Sequence, residues 1–287
     1  MNATIAIASG KGGTGKTTLS VNLAAMAASL GHNVHLCDCD VEEPNSHLFL
    51  NLTFSNHETV TLPLPVVDHD LCEHCGLCSE ICEFHAIACM PERTIVFADL
   101  CHACSGCWLV CSQKAIAQGS RDVGVVEVGT ANGVTFTHGR LRVGETQVPP
   151  LIEAVKATRR DDALVLLDAP PGATCPVVAT LQGCDLVLLV TEPTPFGLHD
   201  LKVAVELTQG LNLPFAVVVN REGSGDDRVQ EYCQAENITL LPGIPFSRDA
   251  AVAGSNGDLL IDSVPDMRGA FSELLSAVLN LVEEVKS

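Results

Sequence analysis

Eight of the chain's fourteen cysteines fall into two equal blocks, Cys72, Cys75, Cys78, Cys82 and Cys101, Cys104, Cys107, Cys111. Within each block the cysteines are separated by two, two and three residues. Thiolates at that spacing can wrap one face of an iron–sulfur cube, and a structural zinc in each block is the other chemistry such ligands offer. A second constellation lies near the start: Gly10, Lys11, Gly12, Gly13, Thr14, Gly15, Lys16, Thr17, Thr18. Its glycines let backbone N–H groups face phosphate oxygens, while a lysine and a hydroxyl suit a terminal phosphate and its Mg²⁺. The two sets ask for different chemistry: electron-carrying metal in one, ATP or ADP in the other.

The elements around the glycine loop fit that reading. An apolar run over 3–8 predicts a buried parallel strand and 19–30 predicts a helix, the strand–loop–helix order of a Walker A motif. Lys16 then reaches the β- and γ-phosphates and Thr17 holds Mg²⁺. A strand over 33–36 leads to Asp38 and Asp40, and another over 163–167 delivers Asp168, followed by Ala169, Pro170, Pro171 and Gly172. Carboxylates at the carboxyl ends of parallel strands lie where open α/β sheets bind ligands, so Asp168 is expected to reach magnesium and the Gly172 N–H the γ-phosphate. Strands over 186–190 and 215–219 flank a helix over 198–209, which predicts a mostly parallel P-loop sheet flanked by helices. The plain alternatives are a solvated lysine at position 11 and surface aspartates at 38 and 40.

With Lys11 in the loop, the chain resembles the deviant Walker A ATPases related to MinD, ParA, Mrp and nitrogenase iron protein. That resemblance implies an ATP-bound homodimer in which Lys11 reaches the partner's nucleotide. It implies that Asp40 positions the attacking water and that Asp38 supports the magnesium shell. It also implies that Asn220 and Arg221 meet the adenine and that the loop around Pro242 packs over it. The cysteine blocks resemble a bacterial two-cluster ferredoxin of the kind inserted in some such ATPases of anaerobes. The pattern implies two 4Fe–4S clusters with exchanged fourth ligands: Cys72, Cys75, Cys78 and Cys111 on one, Cys101, Cys104, Cys107 and Cys82 on the other. Some relatives of that kind are encoded in pairs, so a heterodimer with a sister ATPase stands beside the homodimer.

Glu83 and Ser112 replace the proline that commonly follows the fourth cysteine, while Ala86-Ile87 and Ala115-Ile116 follow the blocks at matching distances. Such a small α+β ferredoxin insert is expected over 65–119, between ATPase segments 1–64 and 120–287, and to be disordered without iron and sulfide. Trp108 is read as a shield over a cluster or as core. Cys89 stands outside both registers, as a buried small hydrophobe or a redox thiol. Cys175, shortly after the 168–172 segment, would need a second cysteine such as Cys184 to bridge a cluster across a dimer; Cys233 is solitary. The stretch 123–143 predicts one or two hairpins, 151–160 a helix, and 270–285 a helix that docks back on the sheet.

Apolar residues make up 47% and charged residues 18%, and 35 acidic against 16 basic groups leave a charge of −19. That field repels nucleic acid and anionic membranes and favours a basic or redox protein partner. No run is long enough to span a membrane and residues 1–9 have no export signal, so a cytoplasmic protein is expected. The functions left in play are an ATPase coupling nucleotide state to electron transfer or partner binding, an iron–sulfur assembly or cofactor-insertion ATPase, and a MinD/ParA-like spatial regulator with clusters as sensors.

Overall fold

The computed structural model describes residues 2–287. A nine-stranded mixed sheet runs through the molecule, with helices on both faces. β1 (Ala3–Ala8) enters α1 (Lys16–Ser29) through the glycine loop, and β2 (Val34–Asp38) follows. β3 (Thr53–Val67) leads into a cysteine-rich lobe made of α2 (Leu77–Glu80), the short pair β4 (Ile87–Cys89) and β5 (Thr94–Val96), and α3 (Gly106–Leu109). β6 (Ile116–Ala131) returns, and β7 (Val134–Leu141) follows it through a tight turn. Then come α4 (Pro149–Ala157), β8 (Leu164–Asp168), α5 (Cys175–Leu181), β9 (Leu186–Thr191), α6 (Pro195–Gly210) and β10 (Phe215–Glu222). The chain closes with α7 (Arg228–Ala235), β11 (Ile244–Pro245), α8 (Arg248–Ser255), α9 (Leu260–Ser263) and α10 (Pro265–Lys286).

The strand order is β11-β10-β9-β1-β8-β2-β7-β6-β3. Every pairing from β11 to β7 is parallel, and β7–β6 and β6–β3 are antiparallel. The parallel strands are buried on both faces, which is why they read as unbroken apolar runs. One face packs Ile5, Ile7, Leu36 and Leu164 against α1 and α10. The other packs Ala6, Val165, Leu167 and Leu189 against α4, α5, α6 and α7. The expected docking of the last helix is thus met by Phe271, Leu274, Leu275, Val278 and Val282, all buried.

One hairpin, not two, occupies the 123–143 stretch, and its turn is Asn132-Gly133, both at positive φ. That is the two-residue geometry matching strand twist. β3, which the sequence reading did not expect, pairs with the full length of β6. β7 ends opposite Gly124, so the β3–β6 ribbon continues alone past it. It continues at the carboxyl end of β7, where Asp38 of β2 pairs in register with His138. The ribbon therefore carries the cysteine lobe to the same edge of the sheet as Asp38 and the glycine loop.

A buried ion pair fixes the lobe there. Arg121 donates to Glu145, and both side chains are almost fully enclosed. The same guanidinium donates to the Cys101 carbonyl at 3.1 Å, and Glu145 accepts from the Thr146 and Gln147 N–H groups. Arg142 adds contacts to Glu145 and to Asp99 of the lobe.

Candidate functional site

The glycine loop closes where side chains would not fit. Gly13 and Gly15 sit at φ +80 and +89, and a Cβ on Gly15 would meet Asn220 Nδ2 at 2.2 Å. A Cβ on Gly10 would meet the Asp200 carbonyl at 2.0 Å. The start of α1 has no side-chain cap, so its first N–H groups stay available to an anion. Lys16 lies at that start with 7% exposure, and the Thr14 hydroxyl is buried without a partner. Burial pushes the Lys16 ammonium below its usual range, with Asp168 and Asp40 opposing the shift.

The carboxylates cluster beside it. Asp38 and Asp168 are register partners on β2 and β8, both buried. Asp38 accepts from the N–H groups of Asp40 (3.1 Å), Asn45 (3.0 Å) and Ser46 (3.0 Å). Asp168 accepts from the hydroxyls of Ser20 (3.0 Å), Ser46 (3.2 Å) and Thr17. Burial first, and the neighbouring Asp168 second, push Asp38 up to about 7. Burial also raises Asp168, against the pull of Thr17 and Lys16. Asp40 is raised to about 6 by burial and Asp168, with Lys16 opposing. Such a buried acidic pair beside a threonine hydroxyl suits a divalent cation, whose charge would restore both carboxylates.

Three expected residues take defined places. Lys11 Nζ lies 3.8 Å from both Glu192 and Asp200 of its own chain. The Gly172 N–H donates to the Ser9 carbonyl at 3.0 Å, with Gly172 at φ +95. Asn220 donates from Nδ2 to the Thr14 carbonyl at 2.8 Å, tying β10 to the glycine loop. An open cleft beside the loop is lined by Gly15, Thr18, Asn220, Arg221, Pro245 and Phe246, and Pro242 is not among its walls. Ser20, Ser46, Glu192 and Asp200 were not singled out in the sequence. They are isolated polar residues with no spacing signature, although Ser20 follows the glycine loop by two residues and Ser46 lies in the loop after Asp40.

In the lobe, two small cavities divide the eight cysteines. Cys72, Cys75, Cys78 and Cys111 line one; Cys82, Cys101, Cys104 and Cys107 line the other, with Trp108. All fourteen cysteines are free thiols. The halves repeat each other: His74, Gly76 and His85 have positive φ, as do Ala103, Ser105 and Lys114 at equivalent positions. The Ala86 N–H donates to Cys82 Sγ at 3.2 Å, and the Ala115 N–H to Cys111 Sγ at 3.3 Å. Among the described residues, no three His, Cys, Asp or Glu side chains converge as they would on one metal ion. Cys89 is half-buried rather than fully buried, and it lines the first cavity. Cys184 is buried in the core and donates to the Thr180 carbonyl, so it does not join the exposed Cys175 at a surface. Cys233 is also core.

Comparison with known proteins places this geometry. The CobQ/CobB/MinD/ParA nucleotide binding domain matches residues 5–261. An uncharacterized protein of Methanocaldococcus jannaschii, MJ0578, is 33% identical over 272 residues, 94% of each chain. An iron-sulfur cluster carrier protein of Aquifex aeolicus is 24% identical over 299 residues, 98% of this chain and 68% of that one. Among solved structures, the septum site-determining protein MinD of Pyrococcus horikoshii, complexed with Mg-ADP, is similar with TM-score 0.63 and 20% identity over 99% of both chains. That last likeness concerns the fold.

Proposed function

From the premise that this chain belongs to the CobQ/CobB/MinD/ParA nucleotide-binding family and is a P-loop ATPase, we propose that its hydrolysis serves iron–sulfur cluster assembly or insertion. In this reading residues 65–119 are a ferredoxin-like insert holding two 4Fe–4S clusters. The observation that carries it is the division of eight cysteines between two cavities, in the two sets of four that exchanged fourth ligands require. The residues fit the group. Each iron of a cube takes one thiolate, so the four sulfurs stand apart around a cavity rather than converging on a point, as structural zinc would demand. The N–H groups aimed at Cys82 and Cys111 Sγ suit thiolates bound to iron. Likeness to a cluster carrier over nearly the whole chain favours cargo handling.

On the nucleotide side, Lys16 and the α1 N-terminus bind the phosphates and Thr17 and Asp168 hold Mg²⁺, which when bound neutralises the charge growing on the transferred phosphoryl group. Asp40, beside Lys16, orients the attacking water, and Asp38 fixes the local backbone through its three N–H contacts. The cleft between Asn220 and Phe246 takes the base. Lys11 leaves Glu192 and Asp200 to reach a second subunit, in a homodimer or beside a sister ATPase.

A second reading, ATP-gated electron transfer to a basic redox partner, is favoured by the completeness of the two thiol sets. Anaerobic reconstitution decides first: about eight irons per chain are expected, and none would remove both readings. The loaded protein is then mixed with an apo acceptor and Mg-ATP. ATP-dependent appearance of a cluster in the acceptor supports insertion. Clusters that stay bound but change potential with nucleotide support electron transfer, and clusters indifferent to nucleotide leave the spatial-regulator role.

A further inference from the structure

The first cavity contains a thiol that the two-block pattern does not account for. Cys89 stands at the end of β4, half-buried, on the wall shared by Cys72, Cys75, Cys78 and Cys111. Its register partner on β5 is Thr94, whose side chain is buried at 3% exposure. The Thr94 hydroxyl donates to Cys89 Sγ at 3.4 Å and lies 3.5 Å from Cys72 Sγ. One hydroxyl thus sits between the extra thiol and a member of the set. The two halves repeat in their four cysteines and in Ala86-Ile87-Ala88 and Ala115-Ile116-Ala117, but the residue equivalent to Cys89 is Gln118, which does not line the second cavity.

We infer that Cys89 is a spare ligand of the first set, able to replace Cys72 on the cluster. The inference rests on the cluster reading above. The exchange is redox-neutral: the Cys89 sulfur forms a bond to iron as the Cys72 sulfur leaves it. Once the Thr94 hydroxyl has turned from Cys89 to Cys72, the Cys89 thiol proton passes to the Thr94 oxygen while the Thr94 hydroxyl proton passes to the departing Cys72 thiolate. No electron changes hands and no further reactant is needed. β4 and β5 supply the geometry, since their pairing holds Thr94 and Cys89 opposite each other whatever Cys72 does. A cluster with a standby thiolate can loosen one corner toward an acceptor without being lost, and only the first cavity has that option.

The test uses the full-length chain, reconstituted anaerobically with iron and sulfide, as wild type, C89S, C72S and the C72S/C89S double variant. Wild type and C89S should hold about eight irons, C72S should also hold about eight, and the double variant about four. In C72S, Cys89 should become protected from alkylation, read by peptide mass spectrometry, whereas in wild type it reacts. Equal iron in C72S and the double variant overturns the inference. A wild-type chain that binds no cluster removes the cluster reading itself, a distinguishable result. Should the C72S chains fail to fold, release to an iron chelator serves instead. C89S should then lose its first cluster several-fold faster than wild type, because nothing recaptures the corner when Cys72 dissociates; equal rates overturn the inference.

Discussion

Asp38 and Asp168 end neighbouring parallel strands in register, and Ser46 serves both: its N–H donates to Asp38 and its hydroxyl to Asp168. One serine therefore couples the loop after β2 to the carboxyl end of β8. A shift of Ser46 on nucleotide binding must break or remake that bridge.

The raised carboxyl groups give a pH dependence whose sign is fixed. In the metal-free fold Asp38 titrates at about 7, above its unfolded range, so folding favours its protonated form. Stability is then fullest at low pH and falls as pH rises from about 4 toward about 7. Magnesium compensates the charge that appears. The thermal shift produced by Mg-ADP should grow between about pH 5.5 and about pH 8. An equal shift at both would show that the acid pair does not face the cation.

Lys16→Ala should lower kcat/KM for ATP by about 100-fold or more, since the ammonium meets charge that grows in the transition state. Lys11→Ala should behave differently. Because Lys11 is held by Glu192 and Asp200 of its own chain, ADP affinity by calorimetry should stay near wild type. ATP hydrolysis and ATP-dependent association, followed by sedimentation, should be lost together.

Removing either partner of the Arg121–Glu145 pair strands a buried charge. Glu145→Ala should cost about 3 kcal/mol in urea unfolding, and Arg121→Ala a similar amount. Replacing both by Met and Leu should recover most of that loss. A loss in the single variants below about 1 kcal/mol would mean the lobe is held by the ribbon alone.

With the proposed clusters in place, stripping their iron should unfold the lobe before the sheet. The lobe's own apolar cluster centres on Cys78, Ile87 and Ile116, too little to order it without metal. Limited proteolysis of chelated protein should cut within 68–115 and spare the parallel strands. Resistance at that segment, with unchanged far-ultraviolet dichroism, would show that metal is not its staple.

Much of the nucleotide site was legible because parallel strands buried on both faces leave long apolar runs, and each ended at a residue that could do chemistry. The cysteine sets with exchanged fourth ligands came from the resemblance to two-cluster ferredoxins, and two cavities of the lobe divide the eight cysteines in the same way. β3 was hidden by its own composition: Pro63 and Pro65 interrupt a regular strand pattern, and Ser55, Asn56, His57 and Glu58 are all polar. Arg121 and Glu145, 24 residues apart, carry no pattern that pairs them. Ser20 and Ser46 could be found only once the strands had set Asp168 between them.

The same two prolines have a further effect. β3 is the last strand of the sheet and is mostly solvent-facing over its first half. Residues 63 and 65 share a parity, so the missing donors fall on one side, and pairing with β6 places that side outward. A foreign strand seeking to extend the sheet there finds gaps where it needs N–H groups. The ribbon that carries the cysteine lobe is thereby guarded against polymerising edge to edge.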